Sequence, residues 1–277
     1  MILLGEHAVV YGQPALAAGL GIGVTVRAEP ADVDSLAIPA WGVAEPITAA
    51  VTAIKQALEI AAPFRLEGDA RVPSRAGLGS SAALAVATTR ALAEAIGRAL
   101  TDVEIERTAD RAERVFHENP SGVDVALATR GGFGLFRRGV GLEPVVAPPL
   151  RLAVGLSAEP RSTAAMVAGV RAIADRTPVQ RAIAALGELA TAGRDALADP
   201  AALGPLFDEA HRLLQILEVS TPALDELVVS ARAAGALGAK LTGAGGGGAV
   251  IAVGNEEEVV AAWHAAGFEA FVTEVGA

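Results

Sequence analysis

The chain has 277 residues, enough for one large domain or two small ones, and it is rich in alanine, valine and leucine. It contains no cysteine, which excludes disulfides, thiolate metal sites and a cysteine nucleophile and suits a reducing compartment. Its formal net charge of -10 argues against a nucleic-acid partner, which needs a basic face, so any anionic substrate must meet a local cationic pocket.

The pattern in chain order predicts mixed α and β structure. MILLGEHAVVYG reads as a first strand carrying Glu6-His7, and Gly12-Gln13-Pro14 as a turn. Alternation from Ile22 to Val26 reads as the next strand. Ile47, Val51, Ile54 and Leu58 make a helical stripe from Ile47 to Ile60. Phe64 to Val72 reads as a strand, followed by a glycine-rich loop that becomes a long helix. Asp102 is the expected cap of a helix Val103–Glu118 with the stripe Ile105, Ala109, Ala112 and Phe116, and NPSG ends it. Gly131 to Phe136 reads as a turn into a strand. Ala147-Pro148-Pro149 marks a joint, dividing the chain into domains 1–148 and 149–277. Beyond it the pattern predicts a strand RLAVGLSA, two or three helices to Ala234, KLTGAGGGGAVIAV, and a closing helix Glu256–Ala265 and strand Glu269–Val275. The most apolar stretches are broken by Gly, Pro or charge within about 18 residues, short of a membrane span. The N-terminus lacks the basic region of a secretion signal. These features point to a soluble cytoplasmic protein with no membrane partner.

Three glycine-bearing segments carry chemistry. In Pro73-Ser74-Arg75-Ala76-Gly77-Leu78-Gly79-Ser80-Ser81-Ala82, small residues let the backbone approach a ligand. The helix that follows turns its free N–H groups back on the loop, as at many phosphate sites. An ordinary helix start after a flexible loop is the alternative. No Gly-Lys-Ser/Thr follows, so it is not a P-loop, and no ribose-binding acid marks a dinucleotide fingerprint. In Lys240-Leu241-Thr242-Gly243-Ala244-Gly245-Gly246-Gly247-Gly248 the dense glycine run suggests close backbone packing rather than a floppy hairpin. In the third segment, Glu113 lies at the edge of a buried stripe and is either a ligand or a solvated helix residue. Asp124, entering the apolar Val125-Ala126-Leu127, needs a metal, a cation or N–H donors as partner, or else caps the next helix.

GEHAVVYG, PSRAGLGSSAA, NPSGVD and KLTGAGGGG, in this order and at these separations, resemble the GHMP small-molecule kinases. That family is named for galactokinase, homoserine kinase, mevalonate kinase and phosphomevalonate kinase. Within it, GEHAVVYG, ENPSGVDVALATRGG and Glu159-Pro160-Arg161-Ser162-Thr163 followed by AAMVAGV resemble the mevalonate kinase branch. The resemblance implies an α+β fold of two domains, the first like ribosomal protein S5 domain 2 and the second ferredoxin-like, with ATP between them. It implies ATP-dependent phosphorylation of mevalonate for isoprenoid precursor synthesis. The alternatives are phosphomevalonate or homoserine kinase, or a non-catalytic nucleotide-binding relative. Pro73, Ala76, Gly77, Leu78, Gly79, Ser80, Ser81 and Ala82 would wrap the phosphates, with Gly243, Ala244 and Gly245 supporting them. Ser81 and Glu113 would hold Mg²⁺. Asp124 would act on the acceptor hydroxyl as general base or orienting group. Glu6, His7, Arg161 and Thr163 would line the acceptor side. The expected assembly is a monomer or homodimer. In this branch a strand with a lysine precedes GEH, and that lysine pairs with the catalytic aspartate. Met1 stands just after its place, so the expectation is a natural polypeptide that begins upstream and supplies both.

Overall fold

The computed structural model describes residues 1–41, 45–74, 76–117, 120–159 and 162–276. These divide into two compact units, each discontinuous in sequence: Met1–Gly21, Arg75–Leu78 and Gly131–Ala277 form unit 1, and Ile22–Ser74 and Gly79–Arg130 form unit 2. The boundary expected at residue 148 divides the chain by sequence, whereas each of these compact units gathers separate stretches of it. The sheet built from the first and middle segments belongs with the C-terminal elements, because a C-terminal helix packs on its first two strands.

In unit 1, β1 (Ile2–Leu4) leads into a single 3₁₀ turn, Ala8–Tyr11, and then β2 (Ala15–Ala18). The residues before Gly12 thus coil instead of continuing the first strand, and Glu6-His7 follow that strand instead of lying within it. In unit 2, β3 (Val24–Pro30), β4 (Ser35–Ala37) and β5 (Phe64–Ala70) form a three-stranded sheet in the order β3-β5-β4. Helix α1 (Glu45–Ala57) lies between β4 and β5 in sequence, and α2 (Ser80–Ala95), α3 (Asp102–Phe116) and α4 (Val123–Arg130) follow. The helical stripes read from the sequence meet in one core. Ile54 and Leu58 of the α1 region, Ala85 and Leu92 of α2, and Ile105, Ala109 and Ala112 of α3 pack with Phe64 and Leu66 of β5. The cap of α3 is Thr101, not Asp102. Its hydroxyl accepts from the Glu104 N–H while the Glu104 carboxylate accepts from the Thr101 N–H, a reciprocal capping box. Asp102 sits in the first turn, where a negative charge meets the positive end of the helix dipole.

Back in unit 1, β6 (Phe133–Arg137) and β7 (Gly141–Val145) complete a sheet ordered β1-β2-β6-β7. After β8 (Leu150–Leu156) come four helices where two or three were expected: α5 (Thr163–Ile173), α6 (Thr177–Ala196), α7 (Pro200–Ile216) and α8 (Pro222–Ala233). Only short turns separate them, and Pro at the start of α6, α7 and α8 marks each new beginning. Then follow β9 (Gly238–Thr242), β10 (Ala249–Val253), α9 (Glu256–Ala265) and β11 (Glu269–Val275). The second sheet runs β11-β8-β10-β9 with every pair antiparallel, the ferredoxin-like order expected for the C-terminal part. Strands β9 and β10 are buried along their whole length, and AVIAV of β10 accordingly reads as a continuous apolar run. Among the described residues no helix is long and apolar enough to cross a membrane.

Candidate active site

Unit 2 brings four sequence-predicted residues together. The loop that begins at Pro73 leads into α2 at Ser80. Gly79 is the N-cap of α2 with φ +75, a left-handed conformation that suits glycine, and it has no side chain with which to cap the N–H groups of the first turn. The Asp124 carboxylate lies against that glycine: a Cβ at Gly79 would stand 3.1 Å from Asp124 Oδ1. Asp124 itself is half-buried in the first turn of α4, whose start is held by the Val123 N–H donating to Ser121 Oγ at 3.4 Å.

Glu113, in the last turn of α3, is only 3% exposed. It accepts a hydrogen bond from the Ser81 side chain, while its Oε1 is buried with no hydrogen-bond partner. Burial is the main cause that pushes its pKa up, to about 7, with the charges of Asp124 and Asp110 adding to it and the Ser81 hydrogen bond opposing. A buried carboxylate with a free oxygen beside a serine hydroxyl fits a hard divalent cation. Among the described residues no group of three or more His, Cys, Asp or Glu can hold a metal alone. Mg²⁺ needs no such cage, because it is held by one or two protein oxygens together with phosphate and water.

Unit 1 gathers a second group. Glu6 departs from the expected role at the acceptor side: it is 0% exposed and ion-paired with Lys240, so its carboxylate is not offered to a ligand. Its neighbour His7 has φ +58 and a nearly buried ring whose Nε2 lies 2.9 Å from the carbonyl oxygen of Ala244. Burial lowers the His7 pKa, against the hydrogen bond to Ala244, so the ring is neutral at pH 7. The glycine loop containing Gly243, Ala244 and Gly245 is an ordered hairpin between β9 and β10. The Gly246 N–H donates to Val219 O at 2.8 Å, and a Cβ at Gly245, Gly246 or Gly247 would come within 3 Å of Val219, Met166 or Glu159 respectively. Close packing thus explains the glycine run. Met166 belongs to α5, whose first residue is the half-buried Thr163. The loop therefore connects His7 with the start of α5. Arg161 lies outside the described residues.

Of the remaining loop residues, Ala76 and Leu78 are buried, whereas Pro73, Gly77, Ser80 and Ser81 are partly open and Ala82 is buried in the α2 core. Lys240 was missed by sequence reasoning. The one signal was a lone charge in the apolar run GALGAKL, matched by a second lone charge after MILLG.

Residues 45–132 match the model of the GHMP kinases N terminal domain, and residues 182–271 match that of the GHMP kinases C terminal domain. The mevalonate kinase of Thermococcus gammatolerans is 34% identical over 316 residues, covering 99% of this chain and 93% of the relative. The chain belongs to the mevalonate kinase family of GHMP kinases. The mevalonate kinase of Methanothermobacter thermautotrophicus is 36% identical over 265 residues, covering 91% of this chain and 86% of that one. Among solved structures, that of L. major mevalonate kinase in complex with R-mevalonate superposes with a TM-score of 0.89 at 29% identity, covering 99% of this chain and 93% of that one. Membership makes the chain an ATP-dependent kinase of the GHMP fold, as its motifs implied.

Proposed function

We propose that the chain transfers the γ-phosphoryl group of ATP to the 5-hydroxyl of (R)-mevalonate, giving ADP and 5-phosphomevalonate. The observation that carries this reading is the grouping of Gly79, Ser81, Glu113 and Asp124 at the start of α2. Phosphoryl transfer needs positioning and charge stabilisation more than covalent help from the protein. The free N–H groups of the first turn of α2 meet phosphate oxygens, and the positive end of the helix dipole favours them. Ser81 and Glu113 would hold Mg²⁺, which would offset the negative charge of the phosphates.

The acceptor hydroxyl oxygen attacks the γ-phosphorus. The new O–P bond forms as the bond to the β–γ bridging oxygen breaks, and ADP leaves with that electron pair. Asp124 orients the hydroxyl and takes its proton. His7 and Thr163 receive the acceptor, and Arg161 pairs with its carboxylate through a planar guanidinium fork. A fixed cation is required there because the acceptor is an anion and the chain is acidic overall. Support for this acceptor comes from the relatives named mevalonate kinase and from the L. major enzyme, whose structure holds R-mevalonate.

The test is ADP release with MgATP and a panel of mevalonate, phosphomevalonate, homoserine and galactose. Turnover of mevalonate at least about 100-fold above the others is expected for a transition state bound through several specific contacts. Turnover of another acceptor without mevalonate contradicts the reading, as does ATP binding with no turnover of any. Arg161→Lys in the active chain should raise KM for mevalonate more than it lowers kcat.

A further inference from the structure

Lys240 sits in the middle of β9, and its side chain is 0% exposed. A lysine removed from water is costly to keep charged unless its donors are met. Here Nζ donates to Glu6 Oε1 and to the Leu241 carbonyl oxygen at 2.6 Å, and it lies 5.9 Å from the centre of the Phe207 ring. Glu6 is equally buried, and its Oε2 has no partner. Burial pushes the Glu6 pKa up and the Lys240 pKa down, while each charge favours the charged form of the other. Replacing such a pair with apolar groups is often neutral or stabilising for a fold, so stability alone is a weak reason for it.

The local backbone gives a better reason. Glu6 stands between two residues with positive φ, Gly5 at +96 and His7 at +58. A histidine in that region is strained and needs its surroundings to hold it there. Three contacts do so, all between the N-terminal segment and the strand and loop around Lys240. Thr242 Oγ1 donates to Ile2 O at 2.7 Å, Lys240 holds Glu6, and His7 Nε2 reaches Ala244 O at 2.9 Å. A carbonyl oxygen only accepts, so Nε2 carries the His7 proton and Nδ1 is an acceptor.

We infer that Lys240 is a positioning residue for the acceptor end of the site: through Glu6 it holds His7 in its positive-φ conformation and against Ala244, so that Nδ1 is offered to a hydroxyl group of the substrate. Lys240 itself never meets the ligand, because it is fully enclosed. The identity of the substrate rests on the function proposed above; the positioning of His7 does not.

The double variant Glu6→Gln/Lys240→Met removes both charges at once and leaves neither stranded. Its melting temperature, kinetic constants and His7 ring spectrum (long-range ¹H–¹⁵N correlations, assigned with His7→Asn) are compared with those of the parent. The expected result is a folded variant with KM for mevalonate raised about tenfold or more and KM for ATP within about twofold. Its His7 ring should lose the pure Nε2–H pattern seen in the parent. A folded variant with unchanged mevalonate KM and an unchanged His7 spectrum overturns the inference, and so does a parent spectrum with the proton on Nδ1. Should the double variant fail to fold, Glu6→Asp keeps both charges, moves the carboxylate by one methylene and carries the same readouts. If the parent does not turn over mevalonate, the proposed function fails, while the spectra still decide whether Lys240 positions His7.

Discussion

The carboxylate of Asp124 rests on the backbone of Gly79, so closely that a Cβ at position 79 would stand 3.1 Å from Oδ1 and 3.4 Å from Cγ. The same glycine has φ +75 and opens α2. Gly79→Ala therefore meets two obstacles, a left-handed backbone and an occupied space. The conformational cost is about 1–2 kcal/mol, which lowers the melting temperature by roughly 2–8 °C in a chain of this size. The displacement of Asp124 should lower kcat by about tenfold or more. Thermal unfolding and steady-state kinetics of the variant check both, and a kcat equal to the parent's would show that the contact has no catalytic consequence.

Glu113 makes the chain pH-sensitive in a definite direction. Its pKa is raised from 4.5 to about 7 in the folded state, chiefly by burial. A carboxyl group with a raised folded pKa favours the fold fully below its unfolded pKa, and that contribution is lost as pH rises through the folded value. Without metal, stability of the parent relative to Glu113→Gln should fall between pH 5 and pH 8, by on the order of 3 kcal/mol. Urea unfolding at the two pH values measures it.

With metal the sign reverses in its effect on activity, because Mg²⁺ needs the ionised carboxylate. The Mg²⁺ concentration for half-maximal rate should rise as pH falls from 8 to 6, by up to about tenfold. In Glu113→Gln this dependence should shrink to that of the nucleotide itself, with a higher requirement throughout. Equal metal dependence in parent and variant would remove Glu113 from the metal site.

The glycine run before β10 can be tested by comparing two substitutions. Gly267 has φ +87 and nothing within 4 Å of a Cβ, so Gly267→Ala meets backbone strain alone, about 1 kcal/mol or slightly more. Gly245 has φ +75, and a Cβ there would stand 2.1 Å from Val219 O. Gly245→Ala should cost about 2 kcal/mol beyond Gly267→Ala. Differential scanning of the two variants ranks them; equal melting temperatures would mean that the loop yields without cost.

The parts of the site that were legible in the sequence are the local ones. Ser81 follows a glycine pair that opens a helix, Asp124 interrupts an apolar run, and Glu113 sits one position from the buried Ala112, so each carries a mark within its own few residues. Helix stripes such as Ile105, Ala109 and Ala112 were legible for the same reason, since they state a period. What could not be read depends on distant pairing. Glu6 and Lys240 are 234 positions apart, and neither segment alone shows that both charges end in one buried pair. The coiling of Ala8–Tyr11 was hidden by β-branched residues, whose strand preference gives way to the positive-φ residues Gly5, His7 and Gly12 around them. The unit boundary was hidden too, because a Pro-Pro joint marks where the chain turns, not which sheet a helix packs against.

The most direct test of the central claim is the pairing of kinetics and calorimetry on Asp124→Asn. If Asp124 takes the proton of the mevalonate hydroxyl, kcat should fall about 10²–10⁴-fold, while the dissociation constant for MgATP and the melting temperature stay near those of the parent. A variant that keeps kcat within a fewfold of the parent, or that loses nucleotide binding along with activity, would contradict a role for Asp124 on the acceptor and make it a structural residue of α4.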